Sequence, residues 1–246
     1  MTPTPESLRM DALATVLKEL RLRLSPHEAA SLTRYAEMIR AERDRSALVS
    51  RDSLEAIERR HFAESLALLT ALEERELLLS PALDIGSGAG LPGLPIKIAR
   101  PDLRLTLLES NEKKAEFMEQ VIAELSLDGA SVLSARAEEA GRLPEHRAAY
   151  ALVLARAVAP LPVLAELALP FLAIGGALAA PKGSAAPREV REAQAALEEL
   201  GGEVEDTVRL ETPSQGLAPT LLIVRKTGET PERYPRRPGI PRKRPL

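Results

Sequence analysis

Three glycines at alternate positions, Gly86, Gly88 and Gly90, directly follow the apolar run at residues 82–85. Glycine lets the backbone turn sharply and approach a ligand with no Cβ in the way, and a helix that starts after such a loop presents free N–H groups. The pattern therefore predicts a strand that leads into a cofactor-binding loop. A dinucleotide fingerprint has its third glycine at the position of Leu91, so this spacing favours S-adenosylmethionine over NAD. A tight strand-to-helix turn without a ligand is the alternative interpretation.

Carboxylates end the first two strands of this region. Glu109 closes the second apolar run, about 20 residues beyond Gly86, where an adenosine ligand needs an acceptor for its two ribose hydroxyl groups. Ser110 and Asn111 follow it and are assigned to the same cofactor site. Asp84 precedes the loop and can accept hydrogen bonds from the loop amides or bind the amino group of a methionine moiety. For Glu109 the alternative is a solvated charge at a strand end.

Later strands also end in polar segments. The third ends near residues 136–139, which include Ala137 and Glu138, and the fourth ends at Arg156. The carboxyl ends of parallel strands meet at one edge of a sheet, and ligands of open α/β sheets bind there. Lys182, after the fifth strand, adds a cation available for a phosphate or for substrate backbone. We therefore expect these residues to surround one crevice.

The sequence also predicts the helices and strands that carry these residues. Residues 1–80 show helical periodicity, and residues 81–230 alternate strands with helices, as a parallel sheet with crossover helices requires. Together they predict an α/β, Rossmann-like sheet of seven strands, mostly parallel, with an antiparallel terminal hairpin and a helical N-terminal extension. The predicted strands are 82–85, 103–108, 131–135, 149–155, 176–180, 203–209 and 220–225, and the main helices between them are 93–99, 112–125, 162–171 and 187–200.

Composition excludes several kinds of site. The chain has no cysteine and only three scattered histidines, so neither a thiolate nucleophile nor a zinc site with cysteine or histidine ligands is expected, and we predict no metal. We find no apolar run long enough to span a bilayer and no signal-peptide pattern at the N-terminus, which favours a cytoplasmic protein.

The C-terminal residues 231–246 form a basic tail rich in proline and arginine. The whole chain has a formal charge of −3, but residues 233–246 hold six cations and no acid, which leaves −9 for residues 1–232. A basic tail on an acidic body is typical of proteins that bind a polyanion, RNA above all, with a merely solvated tail as the alternative. Its five prolines predict an extended conformation. The predicted RNA-binding residues are Lys182, Tyr234 (by stacking on a base), Arg236, Arg237, Arg242, Lys243 and Arg244.

These segments, taken in order, resemble the RsmG/GidB family of bacterial 16S ribosomal RNA guanine-N7 methyltransferases. The resemblance rests on the glycine loop at 84–93, the Leu-Leu-Glu-Ser-Asn segment at 107–111, residues 136–139, 155–157 and 182–183, and the tail, and it runs across residues 61–246. It implies that residues 81–230 form an adenosylmethionine-binding Rossmann-like domain. It also implies a target guanosine in the 530 loop of 16S rRNA, on the 30S subunit or an assembly intermediate. The cofactor contacts it implies are Gly86, Leu91, Glu109, Ala137, Glu138 and Arg156.

The extension differs from the family pattern in one place. The family carries an Asn-Leu-Thr element there, whereas this chain has Arg-Ser-Ala-Leu-Val at 45–49. His61 and Ser65 match the family's His-x-x-x-Ser pattern, and we interpret the histidine as structural.

Methylation of guanine N7, which the resemblance implies, requires no acid–base catalysis by side chains. Guanine N7 carries an in-plane lone pair, so its methylation needs no general base, and we assign no catalytic residue. Two other classes remain open: a non-catalytic ribosome-assembly module that binds adenosylmethionine, and a methyltransferase for another class of substrate. An NAD-dependent oxidoreductase is disfavoured by Leu91.

Overall fold

The computed structural model describes residues 5–42, 57–213 and 218–246. Its N-terminal part is helical, as predicted: α1 (Pro5–Glu19), α2 (Pro26–Ala41), a π-helix (Ile57–Phe62) and α3 (Ala63–Glu73). α2 begins with a capping box, in which the Glu28 N–H donates to Ser25 Oγ and the Ser25 N–H donates to Glu28 Oε2. The 45–49 segment, where the family pattern is broken, lies outside the described residues.

Strands and helices then alternate, at bounds close to those predicted. The strands are β1 (Ala82–Ile85), β2 (Leu105–Glu109), β3 (Ala130–Ser134), β4 (Tyr150–Leu154), β5 (Leu172–Lys182), β6 (Gly202–Arg209) and β7 (Thr220–Lys226). The helices are α4 (Gly93–Ala99), α5 (Glu112–Glu124), α6 (Ala137–Ala140), α7 (Leu161–Ala168), α8 (Ala186–Glu192), α9 (Gln194–Leu200) and α10 (Ile240–Lys243).

The seven strands form one sheet in the order β3-β2-β1-β4-β5-β7-β6. The pairs among β1 to β5 are parallel, whereas β7 runs antiparallel between β5 and β6. This is the predicted fold class. The order reverses between β1 and β4, so the carboxyl ends of these two strands open a crevice at the switch point, where open α/β sheets bind ligands.

Helices cover both faces of the sheet, and the alternation of side chains along each strand supplies both cores. On β4, Leu152 and Leu154 belong to a buried cluster that includes apolar residues of α2, α3 and α4, while Val153 belongs to a second cluster under α7 and α9. The helical extension therefore shares a core with one face of the sheet. In the described part of the chain, no helix is long and apolar enough to cross a membrane.

Some predicted elements differ in detail from those observed. The helix predicted at 162–171 ends as α7 at Ala168 and continues as a short 3-10 turn, because Pro170 has no N–H to donate to the fourth carbonyl before it. The helix predicted at 187–200 is two helices, which meet at Ala193. α9 ends at Gly201, whose φ of +72° is the left-handed turn expected there.

The basic tail is docked rather than extended. The prolines alone favour an extended chain, but the Arg147 guanidinium, from the loop before β4, donates to the carbonyls of Thr230, Pro231 and Tyr234. The Tyr234 side chain is buried in the cluster under α7, and the segment then forms the short helix α10, which contacts α7. Contacts with distant residues therefore override the local preference of the prolines.

Candidate functional site

The glycine loop turns sharply between β1 and α4. Gly86, Gly88 and Gly90 all have positive φ, at +65°, +60° and +92°, a conformation that L side chains rarely adopt. A Cβ on Gly90 would lie 2.3 Å from Leu94 Cδ1, and one on Gly86 would lie 3.1 Å from Val158 Cγ2. The backbone thus takes a path that only glycine permits, and it exposes peptide groups to the crevice.

Asp84 fixes the far end of this loop. Its side chain is fully buried, and Oδ2 accepts the Gly93 N–H at the start of α4 over 3.0 Å. Burial raises the pKa of Asp84 to about 7, against the opposing effects of the Gly93 N–H and the Arg156 charge. Of the two roles that the sequence left open, the structure thus provides the contact with a loop amide. Oδ1 is buried and has no hydrogen-bond partner among the described residues.

Glu109 extends from the end of β2 to the same loop. Its Oε2 accepts the Gly88 N–H over 3.0 Å and its Oε1 accepts the Asn111 N–H over 2.8 Å. Ser110 is exposed beside it. Asn111 caps α5, because its Oδ1 accepts the Lys114 N–H over 3.2 Å. The carboxylate is therefore held at the loop by backbone donors that a hydroxyl-bearing ligand could replace.

A cavity of about 300 Å³ opens over the loop and the strand ends. Five of the ten predicted cofactor residues line it: Gly86, Glu109, Ser110, Ala137 and Glu138. The other five do not line it: Asp84, Gly88, Leu91, Asn111 and Arg156. Two residues of the tail, Gly239 and Arg242, also line the cavity. The sequence analysis did not predict either of them for the cofactor site.

The molecule has a larger cavity, of about 600 Å³, but it lies elsewhere. It is lined by residues that include Leu20 of the extension, Arg75 after α3 and Leu210 after β6. Neither the glycine loop nor the carboxyl ends of β1 and β2 contribute to it, and none of the predicted cofactor residues lines it.

Behind the loop, the helical extension packs polar groups against the end of β4. Arg156 Nη1 donates to Glu64 Oε2 over 3.0 Å. The Tyr35 hydroxyl donates to the Ala89 carbonyl of the glycine loop, and the ring stacks on Phe62. The sequence did not single out Tyr35 or Glu64, because each makes its contact with residues far along the chain.

His61 lies in the same region, and its imidazole ring is uncharged at neutral pH. Burial, with a further contribution from the charges of Arg156 and Arg60, lowers its pKa to about 4. Neither ring nitrogen has a hydrogen-bond partner among the described residues. His61 therefore carries no proton on its second nitrogen at neutral pH. The described residues also include no group of three histidine, aspartate or glutamate side chains that could hold a metal.

Comparison with known proteins identifies the family. The family model GidB, described as rRNA small subunit methyltransferase G, matches residues 28–218. The chain belongs to the GidB family. A protein named ribosomal RNA small subunit methyltransferase G from Pelotomaculum thermopropionicum is 48% identical over 189 residues, which are 76% of this chain and 77% of that protein. Its namesake from Deinococcus radiodurans is 41% identical over 229 residues, 93% of this chain and 89% of that one.

A solved structure agrees on the fold. A SAM-dependent methyltransferase from Aquifex aeolicus superposes with a TM-score of 0.52 and 17% sequence identity, and the match covers 73% of this chain and all of that one. At this identity the likeness concerns the fold alone.

The cations predicted to bind RNA fall into two groups in this GidB protein. Lys182 is mostly buried and pairs with Glu189 at 2.9 Å, and Arg236 pairs with the buried Glu166. Tyr234 is only 6% exposed. Protein contacts thus occupy these three side chains. The other four are exposed around α10, beside the cavity: Arg237, Arg242, Lys243 and Arg244.

Proposed function

We propose that this protein is an S-adenosylmethionine-dependent methyltransferase that methylates N7 of a guanosine in the 530 loop of 16S rRNA. The observation that supports it most is the glycine loop with Glu109 at the carboxyl edge of the sheet, beside four exposed cations, in a member of the GidB family. The substrate is rRNA in the 30S subunit or in an assembly intermediate, so we infer that the protein acts in the cytoplasm.

The residues at the crevice fit such a cofactor. Gly86 lines the cavity with its backbone, a Cβ on Gly88 would meet only the Gly86 carbonyl oxygen at 3.9 Å, and the Glu109 carboxylate has two oxygens for a ribose diol. Asp84 Oδ1 is a buried acceptor that lacks a donor among the described residues. We propose that the cofactor is held by Asp84, Gly86, Gly88, Leu91, Glu109, Ser110, Asn111, Ala137, Glu138 and Arg156.

The proposed reaction relies on position rather than on proton transfer. When bound, S-adenosylmethionine supplies an electrophilic methyl group on a sulfonium. Guanine N7 presents a lone pair in the plane of the ring, so no base has to remove a proton. This agrees with His61, which is buried and has a pKa near 4. Holding two reactants in line in a closed site is worth up to about 7–11 kcal/mol, and we infer that the protein supplies mainly this.

Access to N7 restricts the shape of the RNA. In an A-form helix this edge faces the deep, narrow major groove, which side chains cannot enter, so the target base must lie in a loop or leave the stack. The exposed cations around α10 would contact phosphates and set the position of the RNA. The acidic remainder of the chain would repel RNA from the other surfaces.

Methyl transfer tests this proposal. Undermethylated 30S subunits, naked 16S rRNA and assembly intermediates are incubated with radiolabelled adenosylmethionine and either wild type or Gly86→Asp. We expect label in RNA with wild type and a loss of at least about 100-fold with Gly86→Asp, because a charged side chain there would meet Val158 and fill the cradle. Wild-type protein that binds the cofactor but labels none of these RNAs would contradict the enzyme proposal.

Gly175→Asp is the matched control. Gly175 also has a positive φ, +85°, but a Cβ there meets nothing within 4 Å, and the residue lies near the start of β5, away from the crevice. The control therefore carries the same charge and a similar backbone cost, and it is expected to retain methyl transfer.

A further inference from the structure

The segment 236–244, here called the C-terminal strap, lies over the cofactor crevice. It supplies Gly239 and Arg242 to the lining of the 300 Å³ cavity, which Glu109 and Ser110 also line. It also carries the four exposed cations. The strap therefore borders the crevice as well as the proposed RNA-binding surface.

A partly buried ion pair anchors the strap. The Glu166 side chain on α7 is only 1% exposed, and its carboxylate accepts four hydrogen bonds from Arg236. One comes from the backbone N–H over 2.7 Å, two come from Nε over 2.9 and 3.0 Å, and one comes from Nη2 over 2.5 Å. Charge-assisted bonds of this kind impose a specific geometry, and a buried carboxylate without its partner is costly. The anchor thus gives the strap one position.

From this anchor the strap contacts two groups at the crevice. The Gly239 N–H donates to Glu138 Oε1 over 3.0 Å, and Gly239 adopts a φ of +81° to do so. Arg242 Nη2 donates to the Val158 carbonyl over 3.2 Å. Val158 is the residue whose side chain packs against Gly86. The strap therefore holds a carboxylate on one side of the cavity and the backbone beside the glycine loop on the other.

We propose that the C-terminal strap is a structural part of the cofactor pocket, with Arg242 as a positioning residue that holds Val158 against the glycine loop. The inference rests on the proposed function, since it concerns the same cofactor. It gives the basic tail a role before any RNA is bound. Undocking the strap then weakens cofactor binding in the free protein.

Calorimetric titration of the full chain with S-adenosylhomocysteine, without RNA, tests this proposal. Arg242→Gln is expected to raise Kd about threefold to tenfold, the effect of one lost hydrogen bond. Glu166→Gln removes the charge that anchors Arg236 and is expected to raise Kd further. Arg104→Gln is the control: Arg104 is exposed at the opposite edge of the sheet, just before β2, and its Kd should equal that of wild type.

The outcomes separate this inference from the proposed function. A Kd for Arg242→Gln equal to that of wild type overturns the role of the strap and leaves the cofactor proposal intact. Wild-type protein that binds no ligand overturns both. If Glu166→Gln does not fold, as circular dichroism would show, Arg242→Gln alone decides, because its side chain is exposed and lies outside both cores.

Protease protection gives a second measurement on unmodified protein. Trypsin can cleave after Arg242 and Lys243, which are exposed and not followed by proline. If the strap is part of the pocket, bound S-adenosylhomocysteine should stabilise its docked position and slow both cleavages. Cleavage at the same rate with and without the ligand would contradict the proposal.

Discussion

At the scale of the residue, Asp84 orders the glycine loop, and its burial disfavours the charged form of its carboxyl group. A fully buried carboxyl that accepts one backbone N–H fixes the end of the glycine loop, and burial raises its pKa to about 7. From its ordinary pKa of 3.8 up to about 7, the folded state holds this proton more tightly than the unfolded state. The contribution of Asp84 to the free energy of unfolding therefore falls as pH rises through this window.

Asp84→Asn should remove this pH dependence. An asparagine oxygen can still accept the Gly93 N–H, and the amide cannot ionise. The free energy of unfolding of Asp84→Asn, relative to wild type, should increase from pH 4 to pH 8 by on the order of 4 kcal/mol. Urea denaturation at a series of pH values measures the difference. A difference that is constant with pH would show that Asp84 does not titrate in this range.

At the scale of the element, the structure distinguishes residues that build the loops from residues that face the crevice. Asn111 was predicted for the cofactor site, yet its side chain caps α5 and does not line the cavity. Ser110, next to it, does line the cavity. The two neighbours should therefore respond differently to substitution.

Asn111→Ala should cost about 1 kcal/mol of unfolding free energy, the usual effect of losing an N-cap. Asn111→Ser should restore most of it, since serine also caps helices. Thermal denaturation of the two variants measures this. Equal stability of wild type and Asn111→Ala would refute the capping role, and a larger effect on ligand Kd than on stability would favour the predicted cofactor contact.

The sequence predicts elements well where the signal is local. The loop from Asp84 to Gly93 and the end of β2 at Glu109 follow from glycines and apolar runs a few residues apart. β5 begins at Leu172, before its predicted start at residue 176, because the strand continues through an irregularity in its pairing with β4. The contacts of Glu64, Tyr35 and the strap could not be predicted, since their partners are more than 50 residues away.

At the scale of the whole molecule, charge is separated. We propose that an acidic body with a cluster of exposed cations beside the crevice directs a polyanion to one side of the protein. Since Lys182 and Arg236 are engaged in ion pairs, the long-range attraction is assigned to the four cations around α10.

RNA affinity should therefore fall steeply with salt. Removing one phosphate-binding cation reduces the slope of log K against log salt by roughly 1, or about 0.7 for a single strand. Arg237→Gln should show this reduction, whereas Arg104→Gln, at the opposite edge, should leave the slope unchanged. Filter binding of 16S rRNA between 50 and 200 mM salt measures both slopes. Equal slopes for the two variants would place the RNA on another surface.

The position of the transferred methyl group tests the proposed methyltransferase activity directly. Undermethylated 30S subunits are incubated with wild-type protein and adenosylmethionine, and the 16S rRNA is digested with nuclease and analysed by mass spectrometry. We expect 7-methylguanosine in the fragment that contains the 530 loop, and in no fragment after reaction with Gly86→Asp. A methyl group on another atom or in another region of the rRNA would contradict it.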